Sequence, residues 1–243
     1  MGIPFFYQMK SEILKINKLL VKKFAIPERN KRNPSPLDTL IGTILSQNTN
    51  DNNSYKAYMN LKNNFKDWKE VDALSASEIE EYIKVAGLGK QKSKAIKTIL
   101  ENLSKKNPPY SLEYLYQLDN VKVLNELTSY DGVGLKTASC VLLFSMNRNV
   151  CPVDTHVHRT LNRIGLVSTS APDKTAVIIN KNLPEGVAHT FHTNLIKLGR
   201  EYCRPANPDC GGCPLTSICK YPDKNTEIKR IGKKNTFLLL DNL

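Results

Sequence analysis

Apolar residues recur at helical spacing along most of the chain, and no stretch alternates with the period of two that marks a half-buried strand followed by a hairpin turn. In the segment 11–24, Ile13, Ile16, Leu20 and Phe24 fall on one face, with Leu19 and Val21 beside them. A polar, basic stretch from Pro27 to Pro36 follows. Ser35-Pro36-Leu37-Asp38 then reads as an N-cap, a proline in the first turn and an acidic third position. Behind it Leu37, Leu40, Ile41, Ile44 and Leu45 form one apolar stripe. Ser75 and Glu78 make a capping box ahead of Ile79, Tyr82 and Ile83, and Gly87 stops that helix. Further helices are predicted at 91–105, 120–129, 135–146, 155–165, 173–182 and 187–200. The segment 223–243 is basic and then apolar from Phe237 to Leu240, and it reads equally as a short helix or an extended tail. No solenoid repeat or low-complexity region interrupts the pattern. The predicted fold class is all-α.

The chain has 243 residues, enough for one large domain or two small ones, and its 40% hydrophobic content can build a core. The formal charge of +12 is what a nucleic-acid ligand would call for, although a generally lysine-rich proteome would also produce it. The apolar part of MGIPFFYQMK is too short for a signal peptide, and no run approaches the roughly 18 apolar residues of a membrane span. A soluble, intracellular protein is therefore expected, in the cytoplasm or nucleoid if the source is prokaryotic, where thiols stay reduced and can hold metal.

That matters because four cysteines, Cys203, Cys210, Cys213 and Cys219, fall in the spacing C-x6-C-x2-C-x5-C. Soft sulfur ligands gathered so closely select an iron–sulfur cluster or zinc. Zinc ribbons and fingers usually bring two tight pairs, and here there is one C-x2-C, so spacing favours iron–sulfur while leaving zinc open. Two disulfides are the bland alternative. Cys140 and Cys151 lie in apolar surroundings and read as core thiols.

The segment Leu127 to Ala138 (LTSYDGVGLKTA) is the second strong signal. Gly132 and Gly134 bracket Val133 between two helical patterns. Glycines there permit a tight turn and close approach of another backbone. Amides around Gly132, Val133 and Gly134, with the next helix's N-terminus, suit a phosphate without reading base sequence. A plain helix–helix turn is the competing reading. Lys136 follows in the first turn of the next helix, where a cation is electrostatically unfavourable and the neutral amine is a nucleophile suited to Schiff-base chemistry. By position alone, a surface phosphate contact is the simpler role.

Asp154, in Val150 to Arg159 (VCPVDTHVHR), is placed to cap the helix carrying Val157, Leu161 and Ile164. The functional alternative is a carboxylate that stabilises developing positive charge on a sugar ring or steers protons. His156 and His158 lack an obvious metal partner and read as hydrogen-bonded structural residues.

Taken together, these residues resemble the endonuclease III family of DNA repair glycosylases, within the helix–hairpin–helix superfamily. The match runs through Leu-x4-Gly-Val-Gly-x-Lys-Thr-Ala at 127–138, Val-Asp-Thr-His at 153–156 with Arg159 and Asn162-Arg163 after it, and the four-cysteine loop. Leu37 to Asp51 and Ala86 to Ala95 are similar to the family's DNA-probing loops. The resemblance covers roughly residues 12–222.

It implies two all-α lobes with DNA between them: a six-helix barrel with the helix–hairpin–helix at about 35–147, and a lobe from 1–34 and 148–222 holding a [4Fe–4S] cluster on the four cysteines, with 223–243 a tail of unassigned role. It implies a bifunctional enzyme, acting as a monomer on damaged double-stranded DNA, with no membrane. The flipped-out base is an oxidised or ring-saturated pyrimidine. Lys136 is the expected nucleophile and Asp154 the expected carboxylate, and β-elimination through a lysine Schiff base nicks the strand. Expected DNA contacts are Gly132, Val133, Gly134, Gln47, Asn48, the wedge residue Leu88, and Lys90, Lys92 and Lys94 on phosphates. Family members often carry Gln where this chain has Asn48, so either Asn48 or Gln47 fills the hole left by the flipped base. A thymine or uracil mismatch glycosylase and a non-catalytic, cluster-bearing DNA-binding or electron-transfer protein are the alternatives.

Overall fold

A computed structural model of the chain describes residues 5–29, 32–227 and 238–243. Parts of three stretches read above lie outside the described residues: the first four residues of MGIPFFYQMK, positions 30–31 of the basic stretch, and 228–237 of the C-terminal segment, Phe237 included. Among the described residues there is no strand. The helices are α1 (Phe5–Phe24), α2 (Pro36–Leu45), α3 (Asp51–Asn64), α4 (Trp68–Asp72), α5 (Ala76–Ile83), α6 (Gly89–Ser104), α7 (Asn120–Thr128), α8 (Leu135–Cys140), α9 (Thr155–Ile164), α10 (Pro172–Asn182) and α11 (Ala188–Glu201). The fold is all-α. No helix among the described residues is long and apolar enough to cross a membrane.

The chain divides into two compact units. One comprises Met1–Glu28 and Arg148–Thr236, the other Arg29–Asn147 and Phe237–Leu243. In the first, the α1 stripe of Ile13, Ile16 and Leu20 is at most 1% exposed, and α1 packs on α11, which also packs on α9. Full burial of such side chains stabilises by about 1.5–3 kcal/mol each. Asn194 on α11 donates to the Ala25 carbonyl just past the end of α1.

The second unit is built on α2, a helix buried almost throughout. The Ser35 hydroxyl accepts from the Asp38 amide, and Pro36 occupies the first turn, so the cap forms as its residue types dictate. Asp38 does more than favour the helix N-terminus. Its Oδ1 accepts from Tyr58 Oη, Lys62 Nζ and Trp68 Nε1, joining α2 to α3 and α4. Burial, and then the Asp38 carboxylate, push the Tyr58 phenol far above its ordinary value, so it stays a donor. The Ser75–Glu78 capping box opens α5. The predicted helix 135–146 forms as α8 continued by a π-helical turn, Val141–Ser145. At the C-terminus a 3-10 turn, Leu239–Asp241, packs against α2 and α3, with Leu239 buried and the Leu243 side chain lying over Gly42.

Candidate nucleic-acid interface and cysteine loop

In the second unit, α7 and α8 are joined by the predicted hairpin. Gly132 has φ +82°, and a Cβ there would stand 3.2 Å from the Ala95 Cβ on α6. Gly134 caps α8 in an extended conformation and is exposed. The first bond inside α8 runs from the Ala138 amide to the Gly134 carbonyl, so the amides of Leu135, Lys136 and Thr137 have no acceptor within the helix. Lys136 is half-buried in this first turn, and its Nζ has no hydrogen bond or ion pair among the described residues. Val133 departs from expectation. Its side chain is buried and its amide donates to the Tyr130 carbonyl at 3.1 Å, so it anchors the turn instead of presenting an amide to a ligand.

Two further loops border α6. The α2–α3 loop carries Gln47 and Asn48, and the turn before α6 carries Gly87 and Leu88. Gln47 Nε2 donates to the Gly132 carbonyl at 3.0 Å and reaches Thr137 Oγ1 at 3.4 Å, so this side chain braces the hairpin. Asn48 is exposed, has no side-chain partner among the described residues and adopts φ +51°. Leu88 is 50% exposed and also adopts φ +51°. Such a backbone is a genuine outlier for a bulky residue and persists only where its surroundings impose it.

Lys90 and Lys94 are exposed on α6, as a phosphate-facing role requires. Lys92 corrects the expectation. It is 2% exposed, and its Nζ donates to the carbonyls of Leu45 and Ala86, each at 2.9 Å. Burial pushes it down to about 8. A signal for this was present in the sequence: Lys92, Ile96, Ile99 and Leu103 recur at helical spacing, and all are buried. The charge of the residue concealed its position on the stripe.

In the first unit, Asp154 caps α9, its Oδ1 accepting from the Val157 amide at 2.8 Å. His156 Nδ1 lies 3.2 Å from Arg159 Nη2, and burial pushes the ring below its ordinary value against the opposing pull of Asp154. His158 Nδ1 meets Thr175 Oγ1 at 2.8 Å. Both imidazoles are thus hydrogen-bonded within the unit.

The opposite end of α9 holds the cysteine loop. Cys203, Cys210, Cys213 and Cys219 line one cavity together with Ile164 and Leu215. Burial pushes the Cys213 thiol up to about 12, with Cys203, Cys219 and Cys210 adding to the rise and the Leu215 amide opposing it. Among the described residues no group of three or more His, Cys, Asp or Glu side chains converges on a single metal ion.

Two arginines of α9 hold the loop's backbone. Arg159 Nε donates to the Cys203 carbonyl at 2.9 Å. Arg163 donates to the carbonyls of Arg204, at 2.6 Å, and Pro205, at 2.9 Å, and lies 4.5 Å from the Tyr221 ring centroid. Gly165 ends α9 at φ +83°, where a Cβ would meet Lys220 Cδ at 2.6 Å. This close approach lets the Lys220 amide bond the Ile164 carbonyl at 3.1 Å.

Comparison with known proteins places these features. A sequence model of the HhH-GPD superfamily, base excision DNA repair proteins, matches residues 41–185. The chain is 34% identical over 205 residues to endonuclease III of Thermotoga maritima, covering 83% of this chain and 89% of that protein. It is 30% identical over 187 residues to endonuclease III of Sulfolobus acidocaldarius, covering 75% and 81%. The solved structure of a non-covalent endonuclease III–DNA complex is similar with a TM-score of 0.74 at 25% identity, covering 87% of this chain and 95% of that one. By these matches the chain belongs to the HhH-GPD superfamily of base excision DNA repair proteins, as an endonuclease III-type member.

Proposed function

We propose that this protein removes oxidised or ring-saturated pyrimidines from double-stranded DNA and cleaves the resulting abasic site by β-elimination, working as a monomer. The observation that carries the reading is Lys136, standing in the first turn of α8 directly behind the Gly132–Gly134 turn with no protein partner for its amine among the described residues. In this reading the neutral Lys136 Nζ attacks the sugar C1′ of the flipped nucleotide, and the C1′–N bond breaks as the base departs with a proton. The sugar ring then opens, the C1′–O4′ bond breaking as O4′ takes the proton from the amine nitrogen, and gives an imine. Loss of a 2′ proton then expels the 3′ phosphate, and hydrolysis frees the lysine. Asp154 supplies a carboxylate that stabilises the oxocarbenium-like charge at C1′.

Exposed Gly134, with the α8 amides behind it, takes a DNA phosphate, and Lys90 and Lys94 add salt-sensitive affinity. Leu88 wedges the stack. With Gln47 committed to the hairpin, Asn48 is the side chain left to face the orphan base.

The four cysteines suit a [4Fe–4S] cluster, whose contribution when bound is structural, tying the loop into one body. Their common cavity supports this.

The test is borohydride trapping on a duplex panel of thymine glycol, uracil opposite guanine and thymine opposite guanine. The wild type should give a covalent adduct with thymine glycol DNA, and Lys136→Gln should give none. Trapping by Lys136→Gln at the wild-type level would remove the assigned nucleophile. A preference for the mismatched duplexes would move the protein to the mismatch class.

A further inference from the structure

Lys92 is not needed where it stands for stability. A buried ammonium without a carboxylate is costly, and Lys92 has no ion-pair partner among the described residues. A methionine would keep an apolar stem of similar length without a charge to desolvate. What the ammonium does is join two chain ends. Leu45 is the last residue of α2, and its carbonyl is one of those a helix leaves unpaired at its C-terminus, where a cation is favoured. Ala86 is the last residue of a 3-10 turn, Lys84–Ala86. Three residues after Leu45 comes Asn48, and two after Ala86 comes Leu88, both in the left-handed region. The Lys92 amide also donates to the Leu88 carbonyl at 3.0 Å. One residue thus holds the roots of both loops. A turn further along α6, Ala95 abuts Gly132, so the same helix seats the hairpin that Gln47 braces.

We infer that Lys92 is a positioning residue for DNA interrogation: its buried amine clamps the Asn48 loop to the Leu88 loop, so that wedge and gap-filling side chain enter the duplex as one rigid unit. The inference rests on the base-excision reading above for what the two loops do. It predicts that loss of the clamp leaves chemistry on an already accessible sugar intact and harms the opening of a stacked duplex.

Lys92→Met is the test, because it keeps the stem and removes the amine. Two substrates separate the roles. The first is a duplex carrying a tetrahydrofuran abasic analogue beside 2-aminopurine, whose fluorescence rises when the stack opens and requires no chemistry. The second is a single-stranded oligonucleotide with a preformed abasic site, which reports strand cleavage alone. Lys92→Met should reduce the fluorescence rise at saturating protein by threefold or more, with single-strand cleavage within twofold of wild type, and Leu88→Ala should reduce the fluorescence rise to a similar extent. The double variant should lose little beyond either single one, since both act through the same element.

A full fluorescence rise with Lys92→Met would overturn the inference. So would a parallel loss of single-strand cleavage, which marks a general folding role. If Lys92→Met melts below the assay temperature, Lys92→Leu, which also lacks a donor, takes its place under the same criteria. A wild type that opens the duplex but does not cleave the abasic oligonucleotide would count against the base-excision reading, leaving the clamp to be judged on fluorescence.

Discussion

The hairpin end of the second unit and the cysteine loop of the first are held by different means. Around the hairpin, the backbone is fixed by helices with fully buried stripes and by a few short polar links, an exposed one from Gln47 to Gly132 and two buried ones from Lys92 to Leu45 and Ala86. The cysteine loop contains no α-helix between Glu201 and its last ligand candidate. Its shape depends on carbonyls taken up by Arg159 and Arg163 and on four thiols lining one cavity. The contrast teaches where each region gets its order. The hairpin is ordered by protein packing and holds Lys136 in the first turn of α8 without help from a ligand. The loop gathers four thiols around one cavity, where burial and the neighbouring cysteines raise the Cys213 thiol.

The largest effect should come from the packed side. Lys136→Gln is expected to lower strand cleavage by about a thousandfold or more, because a nucleophile is removed outright. Its thermal midpoint should stay within about 2 °C of wild type, since a half-buried side chain without partners supports little else. A large fall in the midpoint would mean that the hairpin is not pre-ordered, and the contrast would fail.

Cys213→Ser probes the other side. The variant should lose iron and visible absorbance, and bind duplex DNA about 10- to 100-fold more weakly. Hydrogen exchange should quicken across 203–219 and leave the amides of α7 and α8 protected. Loss of protection in α7 and α8 as well would show that the two regions are one cooperative body. A variant that kept its iron and its affinity and lost only catalysis would overturn the structural role of the cluster.

The dryness of the clamp can be read from stability against pH. Burial lowers Lys92 from 10.5 to about 8. Below about 8 both folded and unfolded chains hold the proton, and the folded state bears the full cost of the buried charge. Between about 8 and 10.5 the unfolded chain holds it and the folded chain releases it, so stability rises with pH by up to about 1.4 kcal/mol per unit. Urea unfolding of wild type minus Lys92→Met should show this rise between pH 8 and 10. A flat difference would mean a hydrated amine and a loose frame.

How much of this was legible in the sequence follows the same division. Helix positions were readable because local signals set them: Ser35 with Pro36, Ser75 with Glu78, and Asp154 all cap the helices they were expected to cap. The family followed from motif order. What escaped was decided by contacts remote in sequence. Nothing local distinguishes Asp38 as a cap from Asp38 as the acceptor for Tyr58, Lys62 and Trp68. Arg159 and Arg163 were readable as motif residues, and their grip on carbonyls about forty positions away was not. Lys92 escapes because its charge masks its place on the apolar stripe of α6. Val133 escapes because the turn buries its side chain and uses its amide internally.

Two glycines allow the contrast to be drawn at equal backbone cost. Gly132 and Gly165 have φ of +82° and +83°, so an alanine in either place suffers the same left-handed penalty of about 1–2 kcal/mol. Their neighbours differ. At Gly132 the new methyl meets the Ala95 Cβ at 3.2 Å, a contact on a packed helix that a shift of a few tenths of an ångström relieves. At Gly165 it meets Lys220 Cδ at 2.6 Å and Cβ at 2.9 Å, directly after Cys219, and the lysine stem must move. Gly132→Ala should therefore weaken DNA binding with iron content unchanged. Gly165→Ala should leave the hairpin alone and speed iron loss to a chelator. Both should lose similar stability in urea. If Gly132→Ala also hastened iron loss, or Gly165→Ala left it unchanged, the division between a packed hairpin and a ligand-dependent loop would not hold.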